Sequence, residues 1–283
     1  MPVNDELGKR IKRYYENIPK IKLMRRTPVI IRIDGKAFHT FTRGFKKPFD
    51  EILIKSMQET TKYLCENIQG CVLGYTQSDE ISLLLVDYKN LNSSAWFDYE
   101  VQKICSIAAS MATMAFNKSF TKNAEEFMTD CATDYEMKGL YGKGTLEYEL
   151  CGRYQSAIQK GAMFDARCFN IPKEEVTNYF YWRQLDATHN SIQMVGQANF
   201  SHKELQNKSC NDIQNMLLTQ KDINWNNMPI YQKRGSACIK YIESVDYPDG
   251  TTTERSRWKI DNVIPIFKNE GREYIENLIN FDC

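Results

Sequence analysis

Three histidines, and nine cysteines without a single CxxC pair, leave this 283-residue chain poorly supplied for the commonest transition-metal sites. The cysteines, at 65, 71, 105, 131, 151, 168, 210, 238 and 283, are odd in number and irregularly spaced. That pattern argues against a disulfide framework and for reduced thiols in a cytoplasm. No run approaches the roughly 20 apolar residues that a membrane-crossing helix requires, so no membrane partner is expected. The opening "MPVNDELGKRIKRYYENI" carries acids early and no apolar stretch, and so reads as no secretory signal. Repeats and low-complexity segments are lacking too. So is an overall charge: 37 Lys and Arg stand against 36 Asp and Glu. The balance is uneven, however, because residues 1–50 hold thirteen basic residues and five acids, a local net of +8. A polyanion partner would need such a segment, although a solvated basic helix face accounts for it equally well.

At 42% hydrophobic, the chain can build a sizeable core. "VIIRI" after Pro28 reads as a buried strand, and "FDEILIKSMQETTKYLCENI" has helical period. "CVLGYT" and "ISLLLVDY", separated by "QSDE", read as an antiparallel hairpin. A long Ala-, Ser- and Met-rich helix follows over 94–120, then a polar, glycine-dotted excursion over 121–161. "AMFDARCFNIP" is the next strand, and 173–198 the next helix. The order β-α-β-β-α-β, then α, predicts an α/β (α+β) fold on the ferredoxin-like plan, an antiparallel sheet with helices on one face. Residues 1–200 would form this catalytic domain with its basic N-terminal helix. Residues 201–283 would form a smaller C-terminal lobe with a hairpin turning at Pro248-Asp249-Gly250.

Both "VIIRIDGK" (29–36) and "TQSDEIS" (76–82) follow apolar runs and end in acid. Asp-Gly and Ser-Asp-Glu are ordinary turn punctuation. In this fold, though, Asp34 leaves one strand on the edge where the Asp79–Glu80 tip of the hairpin sits. Carboxylates gathered there would repel unless a cation stood between them, and Mg²⁺ takes few carboxylates with waters and phosphate oxygens. Both readings stand at this level.

The segments "RIDGKAFHTFTRGFKKPFD" (32–50), "YTQSDEISLLL" (75–85), "FDARCFNIP" (164–172) and "WRQLDA" (182–187), in this order, closely resemble the tRNA-histidine guanylyltransferase superfamily, the 3′-to-5′ RNA polymerases. The resemblance runs from about residue 5 to 240 and implies a polymerase-like palm. It implies that Asp34, Asp79 and Glu80 are catalytic, and that Asp34, Asp79 and the Gly35 carbonyl ligate two Mg²⁺ ions. Gly35, Lys36, Ala37, Phe38 and His39, with Ser78 and Asp79, would line the nucleotide. Lys47 matches a lysine near phosphates, and Asp50 an acid close to it. "YQKRGS" (231–236) offers Lys233 or Arg234 as an RNA or phosphate contact. Arg25, Arg26, Lys103, Lys203 and Lys208 are further basic candidates for RNA. ATP and NTPs, GTP among them, would be substrates and tRNA the partner, with a homotetramer as the assembly.

Members that add an extra guanosine to tRNA-histidine carry a His-Ile-Asn-Asn-Leu-Tyr-Asn stretch after Trp-Arg-Gln, whereas this chain has Thr188 at the histidine position and keeps Asn190. The departure resembles the guanylyltransferase-like branch, whose members repair 5′-truncated tRNAs under template direction. Repair is therefore the expected function and extra-guanosine addition its alternative. A nucleotidyl cyclase and a catalytically silent RNA-binding module are more distant expectations.

Overall fold

A computed structural model of the chain describes residues 5–138, 146–246 and 252–280. In chain order it holds α1 (Glu6–Ile11), β1 (Val29–Gly35), α2 (Phe38–Phe41), α3 (Glu51–Asn67), β2 (Cys71–Gln77), β3 (Glu80–Leu85), α4 (Val101–Lys138), α5 (Leu146–Lys160) and β4 (Phe164–Asn170). Then follow α6 (Lys173–Asn199), α7 (His202–Leu205), α8 (Cys210–Lys221), α9 (Ile230–Arg234), β5 (Ser236–Asp246), β6 (Thr252–Asp261) and α10 (Glu273–Ile279).

The strands form one antiparallel sheet in the order β4-β1-β3-β2-β5-β6. Its first four members have the ferredoxin-like order expected from the sequence. Residues 201–283, expected as a smaller lobe, contribute β5 and β6 beyond β2. The hairpin tip at Pro248-Asp249-Gly250 lies outside the described residues, but the pairing from Ala237↔Asp261 to Asp246↔Thr252 brackets it.

Strand side chains alternate between faces, so each strand feeds two cores. Val29, Ile31 and Ile33 of β1 join Ile81, Leu83 and Leu85 of β3 under α3 and α4. Ile30, Tyr75 and Leu84 point the other way, against Val176, Tyr179 and Phe180 of α6 and Ile275 and Ile279 of α10. The two crossover helices thus share one face, as the plan requires, and α6 covers the opposite face. Helix α3 starts at Asp50, whose buried carboxylate accepts the amides of Leu53 and Lys46, both at 3.0 Å, and the hydroxyl of Tyr154 at 2.7 Å. It lies tightly on β2 at Gly74, where a Cβ would meet Cys65 Sγ at 2.5 Å.

The excursion expected over 121–161 is largely helical. Helix α4 continues to Lys138, and α5 returns with Leu150, Tyr154 and Ala157 in the main core. The glycines that made the stretch look irregular, Gly139, Gly142 and Gly144, fall in the 139–145 gap outside the described residues. Among the described residues no helix is long and apolar enough to cross a membrane.

Candidate active site

Strand β1 ends with Asp34 and Gly35, and the neighbours of Asp34 across the sheet are Glu80 on β3 and Asp165 on β4. The β2–β3 connection is only Ser78 and Asp79, with Ser78 in the left-handed region at φ 51. The Gly35 amide donates to the Asp79 carbonyl at 3.1 Å, which ties the strand exit to the hairpin tip. Asp34 and Asp79, 45 positions apart in sequence, therefore lie side by side at one edge, both half-buried.

Electrostatics at this edge carry strain. Burial pushes the Asp79 carboxyl above its ordinary range and the negative charges of Asp34 and Glu80 push the same way, against hydrogen bonds from its own backbone and from Ser78. Ser78 Oγ donates to Asp79 Oδ1 at 3.1 Å. Two carboxylates held side by side make a natural cation seat. At Gly35 a Cβ would stand 2.2 Å from Cδ2 of Phe38, so the backbone at the strand exit is pressed against an aromatic ring. Among the described residues no group of three or more His, Cys, Asp or Glu side chains is placed to hold a metal. A pair of carboxylates is the kind of donor set that suits a hard cation completing its shell with water and phosphate oxygens.

The other expected residues fall into two groups. Lys36, Ala37 and His39 are exposed around the strand exit, with Ala37 left-handed at φ 53. The Lys36 amide is fixed on the Met163 carbonyl at 2.8 Å. Phe38 leaves only its backbone at the site, because its ring packs on Phe164 and Phe116 at 5.1 and 5.5 Å. Lys47 is exposed just before α3. Beyond Ser78, the start of α3 with α6 and α9 encloses a cavity of about 80 Å³, lined by Phe49, Asp50, Leu53, Asn190 and Tyr231 among others.

The basic candidates are spread over separate segments of the fold. Arg25 Nε binds Asp87 at 2.6 Å and the Arg26 amide binds Asp87 at 2.8 Å, beyond the far end of β3 and about 20 Å from Glu80 by strand rise. Lys103 lies on the Phe97 ring at 5.1 Å, while Lys203 and Lys208 are exposed in and after α7. Lys233 is buried, its Nζ donating to the Asn226 carbonyl at 2.5 Å beside the Trp225 ring, and burial pushes its pKa down, with Arg234 adding to the effect. Arg234 is half-buried next to it.

Glu80 is buried, and both its oxygens are taken. Arg183 grips it through Nε at 2.7 Å and Nη2 at 2.6 Å, and Arg32 Nη2 adds a third contact at 2.6 Å. Arg183 also holds Asp186 at 2.9 Å. Arg183 is only 3% exposed. Its place was legible: Val176, Tyr179, Phe180, Arg183 and Ala187 follow helical spacing along one buried face. Arg32 shares strand parity with Asp34 and hence its face. Asp165, a further acid on this edge, pairs with Arg167 at 3.1 Å.

The family model described as tRNAHis guanylyltransferase matches residues 8–172. Among curated relatives, a probable tRNA(His) guanylyltransferase of Dictyostelium discoideum is 26% identical over 89% of this chain and 91% of its own. The tRNA(His) guanylyltransferase of Saccharomyces cerevisiae is 27% identical over 74% and 80%. Among solved structures, a bacterial tRNA(His) guanylyltransferase-like protein in complex with ATP is 42% identical, covers 98% of this chain and 100% of its own, and superposes with a TM-score of 0.75. Its complex with GTP matches at 40% identity over 97% and 99%, with a TM-score of 0.70. With carboxylates at the strand exit and hairpin tip, and a family match over more than half its length, the chain belongs to the tRNAHis guanylyltransferase family of nucleotidyltransferases.

Proposed function

We propose that this chain repairs truncated tRNA by template-directed, 3′-to-5′ addition of nucleotides to the 5′ end, after ATP-dependent activation of the 5′ phosphate. The carrying observation is Thr188. Where extra-guanosine enzymes place a histidine, this chain has a hydroxyl that turns back to its own helix and donates to the Gln184 carbonyl at 2.9 Å. Support also comes from the 42% identical bacterial guanylyltransferase-like protein, which binds ATP and, in a second complex, GTP. Extra-guanosine addition is the second reading, favoured by the named activity of the yeast relative. The reading includes a homotetramer in the cytoplasm, carried by the family resemblance and the cysteine pattern.

The chemistry is two in-line displacements at phosphorus. First the RNA 5′ phosphate attacks the α-phosphate of ATP, leaving an adenylylated end and releasing pyrophosphate. The 3′ hydroxyl of an NTP paired with the template strand then attacks that end and releases AMP. Asp34, Asp79 and the Gly35 carbonyl would hold two Mg²⁺ ions, whose charge offsets that of the phosphates when bound. Lys36 and Lys47 offer cations to the triphosphate, and the cavity beyond Ser78 offers a partly apolar wall to a base. Such transfers need positioning and charge neutralisation, with no protein nucleophile.

The test is incubation with Mg²⁺, ATP and the four NTPs. One substrate is a 5′-monophosphorylated tRNA lacking its first nucleotide, and the other a tRNA-histidine lacking its extra guanosine. Extension of the first by the templated nucleotide, lost in Asp79→Ala, supports repair. Guanosine addition to the second alone transfers the chain to the second reading. No extension of either refutes both.

A further inference from the structure

Trp182 stands apart from the buried aromatics beside it on α6. Tyr179 and Phe180 are in the core, whereas the Trp182 indole is 52% exposed. Yet the ring is held firmly. The Arg183 guanidinium lies 4.4 Å from its centroid, that of Arg32 5.9 Å, and the Tyr179 ring meets it edge-on at 5.9 Å. Both arginines are fixed in turn by Glu80, which lies next to Asp79 in sequence and opposite Asp34 in the sheet. An exposed aromatic surface is thus ordered in advance by two cations, one of them on Arg32, two strand positions before Asp34.

From this arrangement, and resting on the RNA-repair reading above, we propose that Trp182 is the stacking platform for the nucleobase at the 5′ end of the RNA substrate. Every base has a π-face, so a tryptophan can receive whichever nucleotide truncation has left, which a repair enzyme requires. Location separates this platform from the nucleotide cavity. Tyr179, which Trp182 touches, packs on Phe169 of β4, whereas the cavity opens on the β2 side between α3 and α9. In-line transfer sets attacking and leaving groups on opposite sides of phosphorus. A nucleotide from the cavity and an RNA end on Trp182 would meet over Asp34 and Asp79. Glu80 then acts as a positioning residue, with neither oxygen free for metal.

The experiment measures affinity for a 5′-monophosphorylated truncated tRNA and, separately, for ATP, in wild type, Trp182→Ala and Trp182→Phe. Loss of one stacked base predicts RNA binding about ten- to hundredfold weaker in Trp182→Ala, with Trp182→Phe close to wild type and ATP affinity unchanged. An otherwise identical RNA with an abasic 5′-terminal nucleotide should bind wild type as weakly as intact RNA binds Trp182→Ala, and the two losses should not add. The proposal is overturned if Trp182→Ala binds RNA as wild type does, if Phe is no better than Ala, if the abasic loss adds in full, or if ATP affinity falls in parallel. Absence of any RNA affinity in wild type would instead remove the repair reading beneath it.

Discussion

At the residue scale, Asp79 shows how a site built for charge burdens the fold that carries it. Its carboxyl titrates above the ordinary range in the folded chain, chiefly through burial and secondarily through Asp34 and Glu80. Ionised Asp79 therefore costs native stability. That cost is absent below the unfolded-state pKa and grows to its full size as pH rises through the folded value. Asp79→Asn should accordingly raise the melting temperature at pH 7 in EDTA, with the gain vanishing in acid. Mg²⁺ should stabilise wild type but not the variant, and extension activity should fall by about a thousandfold or more, as loss of several kcal/mol of charge stabilisation requires. A thermal melt series across pH, with and without Mg²⁺, checks the sign. Gly35 is constrained sterically. Gly35→Ala drives a methyl into the Phe38 ring and should cost about 1–3 kcal/mol in urea unfolding. Adding Phe38→Leu should return part of that loss.

At the element scale, the contact between α6 and β3 matters most. Glu80 and Arg183 are both buried, so removing either partner strands a charge in the interior. Glu80→Gln and Arg183→Gln should each destabilise by about 3–5 kcal/mol, and the double variant should cost clearly less than their sum. A denaturation double-mutant cycle measures this, and full additivity would mean that the pair does not act as a unit. The strands, the hairpin and the long helices were legible from period-2 and period-3.6 patterning. The α4–α5 region was not, because the glycines at 139, 142 and 144 outweighed the helical period of "LEYELCGRYQSAIQK".

At the scale of the whole molecule, the C-terminal residues close the second core. Ile264, Phe267, Ile275 and Ile279 pack with Ile30, Tyr75 and Phe180 on the face of the sheet that α6 covers. Each such side chain is worth about 1.5–3 kcal/mol when buried, against a whole-domain stability of about 5–15 kcal/mol. Ending the chain after Asp261 should therefore abolish cooperative unfolding and produce a dye-binding or aggregated product. Circular dichroism melts and dye fluorescence would show it, and a sharp native transition in the truncated chain would count against this account.

The sequence by itself determined the succession of the first four strands with their crossover helices, and the two acids at the strand exit and hairpin tip. Those features follow from local periodicity and turn chemistry, which a few consecutive residues encode. The tertiary structure alone decided that Glu80 faces two arginines, and that Arg25, Arg26 and Lys103 lie away from the acids. The partner of Glu80 is 103 positions distant in sequence. Which long-range partner a charged side chain finds depends on the path of the chain between them, and no local pattern records that path.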